Sequence, residues 1–96
     1  YFDKIRQCDL FVYLDNVQFQ RRGFQNRNRV KTANSAPWLT VPVHADRHTR
    51  IDAVSIVDDS WRRRHSVAIA NAYAHAPHID VFHDGLRQII ENAPSD

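Results

Sequence analysis

The chain has 96 residues, one cysteine and a formal net charge of +2. That length holds one small domain and no more. A composition 43% hydrophobic and 25% charged excludes a disordered tail, and no apolar run has the length of a membrane-spanning helix.

The lone cysteine, Cys8, forms no internal disulfide, which points to a cytoplasmic location. The sequence opens on Tyr1-Phe2 without a methionine, so a piece of a longer chain is expected. Charge is uneven. Arg21, Arg22, Arg27, Arg29 and Lys31 lie in a stretch without an acid, whereas elsewhere 8 cations face 11 acids. A sharp basic segment on a mildly acidic body is an anion site by default rather than a nucleic-acid-coating surface.

In chain order, Phe2 and Ile5 lie three apart, as at the end of a helix. Residues 10–14 (Leu-Phe-Val-Tyr-Leu) are apolar throughout and predict a strand buried on both faces, as in a parallel sheet. Segment 20–28 has no period and reads as a polar loop. Arg29-Val30-Lys31 and residues 38–43 predict a hairpin across the turn-like Ala33-Asn34-Ser35-Ala36. Pro42, which has no N–H to donate, belongs at an edge or a strand end. Residues 44–50 read as a loop, and 51–57 hold a weak last strand.

Asp58-Asp59-Ser60 is a helix start, with Asp59 or Ser60 as cap. The following helix is predicted over 61–76, burying Trp61, His65, Ala68, Ile69, Ala72 and Tyr73 and stopped by Pro77. A second helix is predicted over 79–92, with Phe82, Leu86, Ile89 and Ile90 on its apolar face. The fold class that emerges is α/β: a partial sheet with a central buried strand, a hairpin and two C-terminal helices, a fragment of a larger α/β domain.

In open α/β sheets, ligands bind beyond the carboxyl ends of the strands. Asp15 is the first polar residue after the apolar run, and the loop behind it offers Arg22, Asn26, Arg27, Asn28 and Arg29. Guanidinium forks suit phosphate and carboxylate, and asparagine both donates and accepts, as sugars require. Asp15 is therefore the candidate catalytic residue, and Arg27, Asn28, Arg29, Arg22 and Asn26 the candidate substrate-binding set. An Asp15–Arg27 pair that merely pins the loop is the competing structural reading. The six histidines have no zinc spacing: Pro77 separates His75 from His78, and His44 and His48 fall in a loop. Cys8 has no activating neighbour in sequence and reads as a small buried residue. Arg62-Arg63-Arg64 read as the wet face of a helix. No phosphate loop, dinucleotide fingerprint or serine elbow is present, and no cofactor follows from the sequence.

Tyr1-Phe2-Asp3-Lys4-Ile5, Asp9-Leu10-Phe11-Val12, Leu14-Asp15-Asn16-Val17-Gln18-Phe19 and Arg27-Asn28 resemble the signature of the WbqC-like protein family. Trp38-Leu39-Thr40-Val41-Pro42-Val43, Trp61, Tyr73 and Ala76-Pro77 resemble its next strand, helix and turn. Phe24 and His78 depart mildly, standing where other residues are common in the family. The resemblance implies a fragment of a single WbqC-like α/β domain, lacking its first strand and C-terminal half. It also implies bacterial surface-polysaccharide (O-antigen) biosynthesis, with a transferase moving glycine or another acyl group onto a sugar. A sugar or sugar nucleotide is the expected ligand. The alternative is a nucleic-acid-binding module built on the basic segment from Arg21 to Lys31 with Phe24, which the mildly acidic remainder disfavours.

Overall fold

The backbone is organised by where its short extended segments find partners. The computed structural model describes residues 2–94. In order, they form α1 (Phe2–Arg6), β1 (Arg27–Arg29), β2 (Trp38–Thr40), β3 (Val43–His44), a 3-10 turn (Ile51–Ala53), β4 (Ser55–Ile56), α2 (Ser60–Ala72) and α3 (Ile79–Asn92). The class is mixed α/β, with two small antiparallel sheets rather than a parallel one.

β1 and β2 make the predicted hairpin, two residues earlier on its first strand than expected. Arg27 faces Thr40, Asn28 faces Leu39 and Arg29 faces Trp38. Backbone bonds continue beyond the strands: Val30 N–H donates to Pro37 at 3.2 Å, and Thr32 N–H to Ser35 at 2.9 Å. The Thr32 hydroxyl also bonds the Ser35 carbonyl, at 3.0 Å, so Ala33-Asn34 turns the chain in two residues. Pro42 ends this ladder. The next strand, β3, pairs with β4 instead, Val43 against Ile56 and His44 against Ser55. The Pro42 carbonyl still accepts, from Val57 N–H at 2.9 Å.

A third antiparallel pairing joins segment 15–19 to 49–52. Phe19 N–H donates to Thr49, Ile51 N–H to Val17 and Asp52 N–H to Asp15, at 2.8, 2.9 and 2.9 Å. Gln18 and Arg50 bridge within it. This strap seats Phe19 in the core, 6% exposed. Trp61, at 7%, is the other buried hydrophobic among the described residues.

α2 begins as the acids predict, with a different division of labour. Asp58, not Asp59 or Ser60, takes a first-turn amide: its carboxylate accepts Ser60 N–H at 2.8 Å. The Ser60 side chain first, and this backbone bond second, hold the Asp58 carboxyl below its ordinary pKa. Asp59 turns to Arg62, at 2.9 Å. α2 ends at Ala72, a turn short of the expected 76; Pro77 has no N–H to bond the Tyr73 carbonyl and extend the helix. Ala76 N–H bonds Tyr73 at 2.9 Å in a tight turn instead. α3 has the expected bounds.

Two helix faces serve two neighbours. On one side of α2, His65 Nε2–H donates to the Thr40 carbonyl of β2 at 3.1 Å. On the other, Arg62, expected in solvent, has a side chain only 12% exposed. Its Nη1 donates to the Ile90 carbonyl at 2.8 Å, satisfying a last-turn acceptor of α3 that has no intrahelical donor. Its guanidinium also lies 4.9 Å from the Trp61 ring centre.

Residues 10–14 correct the expectation of a central buried strand. They form no strand; Leu10, Val12, Tyr13 and Leu14 are 64–80% exposed, and Phe11 is half-buried edge-on to Tyr13 at 5.1 Å. A strand needs ladder partners, and the nearest pairing begins only at Asp15. Cys8, expected buried, is exposed, because its N–H closes the end of α1 on Ile5 and leaves the side chain outside the core. Phe82 and Ile89 of α3 are also largely exposed, at 67% and 69%. The accessible surface is 8050 Å², against about 5,700 Å² for a compact monomer of this mass.

Removing the tie between the helices has a measurable cost. Arg62→Ala is expected to lower unfolding free energy by roughly 1.5–3 kcal/mol, the range for a hydrogen bond to a charged group. Arg63→Ala, one residue on and exposed, should stay within about 0.5 kcal/mol. Urea titration checks both, and equal effects would contradict the assignment.

His65 makes stability depend on pH. Burial pushes its imidazole below the ordinary histidine pKa; the Thr40 carbonyl opposes this and Arg64 adds to it. A group depressed in the fold binds its proton first in the unfolded chain. Its contribution is therefore present above about pH 6.5 and lost as pH falls through the folded value. The melting temperature should fall between pH 7.5 and 5.5, and His65→Gln should flatten that slope.

Candidate functional site

The basic segment is shaped by its own backbone. Gly23 N–H bonds the Gln20 carbonyl at 3.4 Å, closing a four-residue turn. Arg22, its third residue, has φ 65°, the left-handed region that usually takes glycine or asparagine. Arg27 holds the turn from outside: its Nε donates to the Gly23 carbonyl at 3.0 Å and its Nη2 to the Arg22 carbonyl. The guanidinium predicted to clamp a ligand thus clamps its own loop.

Across the strap lies a second turn. The Asp46 carboxylate accepts His48 N–H at 2.7 Å and the Thr49 hydroxyl at 2.9 Å. These bonds, the His48 amide first, hold its carboxyl below the ordinary value. The Gln18 amide donates to the Arg47 carbonyl. Arg47 is thereby fixed through its backbone, with its side chain exposed.

The two turns enclose a hollow of about 530 Å³. Arg21, Arg22 and Arg47 stand around it, Asn26 forms part of the wall, and Phe19 is among its lining residues. No carboxylate lines it. Among the described residues, none of the three guanidinium groups has an ion-pair or hydrogen-bond partner. Unpaired cations gathered around one hollow attract a multivalent anion.

A second hollow, of about 380 Å³, shares Asn26 and is lined by Phe24, Arg27, Asn28 and Arg29, with His65 of α2 behind. Here Arg27 and Arg29 lie on one strand face with Trp38, their guanidinium carbons 4.3 and 4.5 Å from its ring centre. Phe24 leans on the same indole, ring centres 5.3 Å apart.

The predicted set is therefore divided. Arg22 lines the first hollow, Arg27, Asn28 and Arg29 the second, and Asn26 both. Asn26 also has a structural duty, its Nδ2 donating to the Val41 carbonyl at 2.9 Å, and Asn28 Oδ1 accepts Arg29 N–H at 2.8 Å. Asp15 lines neither hollow; it is exposed and makes no ion pair with Arg27. Sequence reasoning missed Arg47. Its signal was Asp46-x-x-Thr49, an acid and a hydroxyl spaced to close a side-chain turn.

The left-handed Arg22 separates strain from charge. Arg22→Gly relieves about 1–2 kcal/mol of steric cost and adds about 0.5–1 kcal/mol of backbone entropy, so stability should hold or rise slightly. Arg22→Val, branched at Cβ, should lose stability. Denaturant midpoints of the two variants check this, and the same ranking reversed would contradict it.

The chain matches the WbqC-like protein family over residues 1–96. It is 35% identical over 91 residues to a protein of Mycobacterium tuberculosis named Uncharacterized protein Rv1507c. That alignment covers 93% of this chain and 39% of the relative, so the chain spans about two fifths of the relative's length. No solved structure matches. On the match along its whole length, the chain belongs to the WbqC-like protein family.

Proposed function

We propose that this chain carries the anion-binding part of a transferase in bacterial surface-polysaccharide (O-antigen) biosynthesis, one that moves glycine or another acyl group onto a sugar. The ligand is a sugar nucleotide, and its phosphates lie in the hollow between Arg21, Arg22 and Arg47. The observation that carries the reading is that hollow: three arginines without a partner among the described residues, and no acid in its lining. Phosphate oxygens accept from guanidinium forks and bring the charge these side chains lack. Asn26, Asn28 and Arg29 extend the site beyond the phosphates, into the hollow that shares Asn26. Asp15, the candidate base, lies outside both hollows, its carbonyl held by the Asp52 N–H at the far end of the strap. The family and the resemblance support the polysaccharide setting.

Exposed Phe24 beside the basic segment favours a second reading, a module for single-stranded nucleic acid. The 8 cations and 11 acids outside that segment rank it second, because such surfaces carry a wider basic footprint.

Arg47→Gln tests the first reading cleanly, since the side chain takes no part in the turn that holds it. Affinity for a uridine-diphosphate sugar, measured by calorimetry, should fall about 10- to 150-fold, the equivalent of one charged hydrogen bond. The melting temperature should be nearly unchanged. Undiminished affinity would overturn the reading.

A further inference from the structure

We infer that Phe24, braced by Trp38, is a stacking platform for a nucleobase, so that the site takes a nucleoside diphosphate rather than a phosphate alone. The inference rests on the reading of the arginine hollow given above. Phe24 is 71% exposed, yet its ring is fixed by its contact with the indole. Trp38 in turn has Arg27 and Arg29 over its ring, and Arg27 is held by the Gly23 and Arg22 carbonyls. The phenyl ring is therefore exposed while resting on a side chain that is itself packed against two guanidinium groups.

Its setting favours a flat π-faced ligand over an aliphatic one. Most other exposed apolar residues cluster at 10–14 and along α3, and scattered ones such as Phe2 and Val67 lie outside the basic segment. Phe24 stands alone in a polar loop, between Arg21-Arg22 and Arg27-Asn28-Arg29. A base stacks on an aromatic ring irrespective of sequence, and guanidinium planes add to that surface. Asn26 is common to the phenyl-lined and arginine-lined hollows, so one ligand reaches both: the base on Phe24 and the diphosphate among Arg21, Arg22 and Arg47. Between them the Asn26 side chain has an oxygen left to accept from a ribose hydroxyl, its amide nitrogen being on Val41.

The experiment titrates the chain with inorganic pyrophosphate, uridine and uridine diphosphate by calorimetry. Phe24→Ala should weaken uridine diphosphate about 5- to 150-fold, the equivalent of one base–aromatic stack, and leave pyrophosphate within about twofold. Phe24→Tyr should retain the wild-type affinity, and Phe24→Leu, apolar without a π face, should not; far-ultraviolet circular dichroism confirms that each variant is folded. If Phe24→Ala binds uridine diphosphate as the wild type does, the platform is overturned while the arginine hollow stands. If pyrophosphate does not bind but uridine binds through Phe24, the platform stands and the phosphate reading fails. Phe24-dependent binding of a thymidine oligonucleotide, without binding of uridine diphosphate, would overturn the inference in favour of a nucleic-acid partner.

Discussion

The backbone pairing between segments 15–19 and 49–52 is the constraint on which the rest depends. It is short and irregular, with three hydrogen bonds of 2.8–2.9 Å around the Gln18–Arg50 bridge. Each backbone bond contributes only about 1 kcal/mol net, and burying the Phe19 ring about 1.5–3 kcal/mol more. Its consequence is larger than its energy. It sets the turn of Arg21 and Arg22 beside the turn of Arg47, segments more than twenty residues apart in sequence. Both turns are held by their own polar groups, Arg27 on one side and Asp46 on the other. The cations are thus placed without using their guanidinium groups, which stay available to an anion.

α2 is the second organiser. It meets the hairpin through His65 and α3 through Arg62. A helix with neighbours on two sides cannot show one clean apolar stripe. What it does not cover is substantial: the apolar face of α3 and residues 10–14 face solvent. The radius of gyration, 15.0 Å, exceeds the roughly 12–13 Å of a compact chain of this length. Buried hydrophobics are few, and polar ties such as Arg62 to Ile90 carry correspondingly more of the organisation.

Local signals in the sequence were legible. Ala33-Asn34 with hydroxyls on either side marks the hairpin turn, Pro42 marks the end of a strand, and Pro77 with the acidic start brackets α2 within a turn. α3 is readable to the residue because its apolar spacing is regular. Tertiary choices were not legible. An apolar run such as residues 10–14 says that burial would be favourable, not that a ladder partner exists. Three consecutive arginines look alike in sequence, yet only Arg62 faces Asp59, Trp61 and Ile90 at once. At the site, the basic segment and its asparagines could be singled out by composition. The assignment of Arg27 to its own loop, and of Arg47 to the hollow, depends on which backbone carbonyls lie nearby.

If one anion is shared by the two turns that the strap brings together, both turns must respond to it as a unit. Two-dimensional NMR of the chain during titration with inorganic pyrophosphate tests it most directly. The largest amide shifts should fall at Arg21, Arg22 and Gly23 together with Arg47 and His48, moving along a common binding curve. Shifts centred on the other arginine-rich surface, at Arg63 and Arg64, with residues 21–23 and 47–48 unmoved, would contradict it.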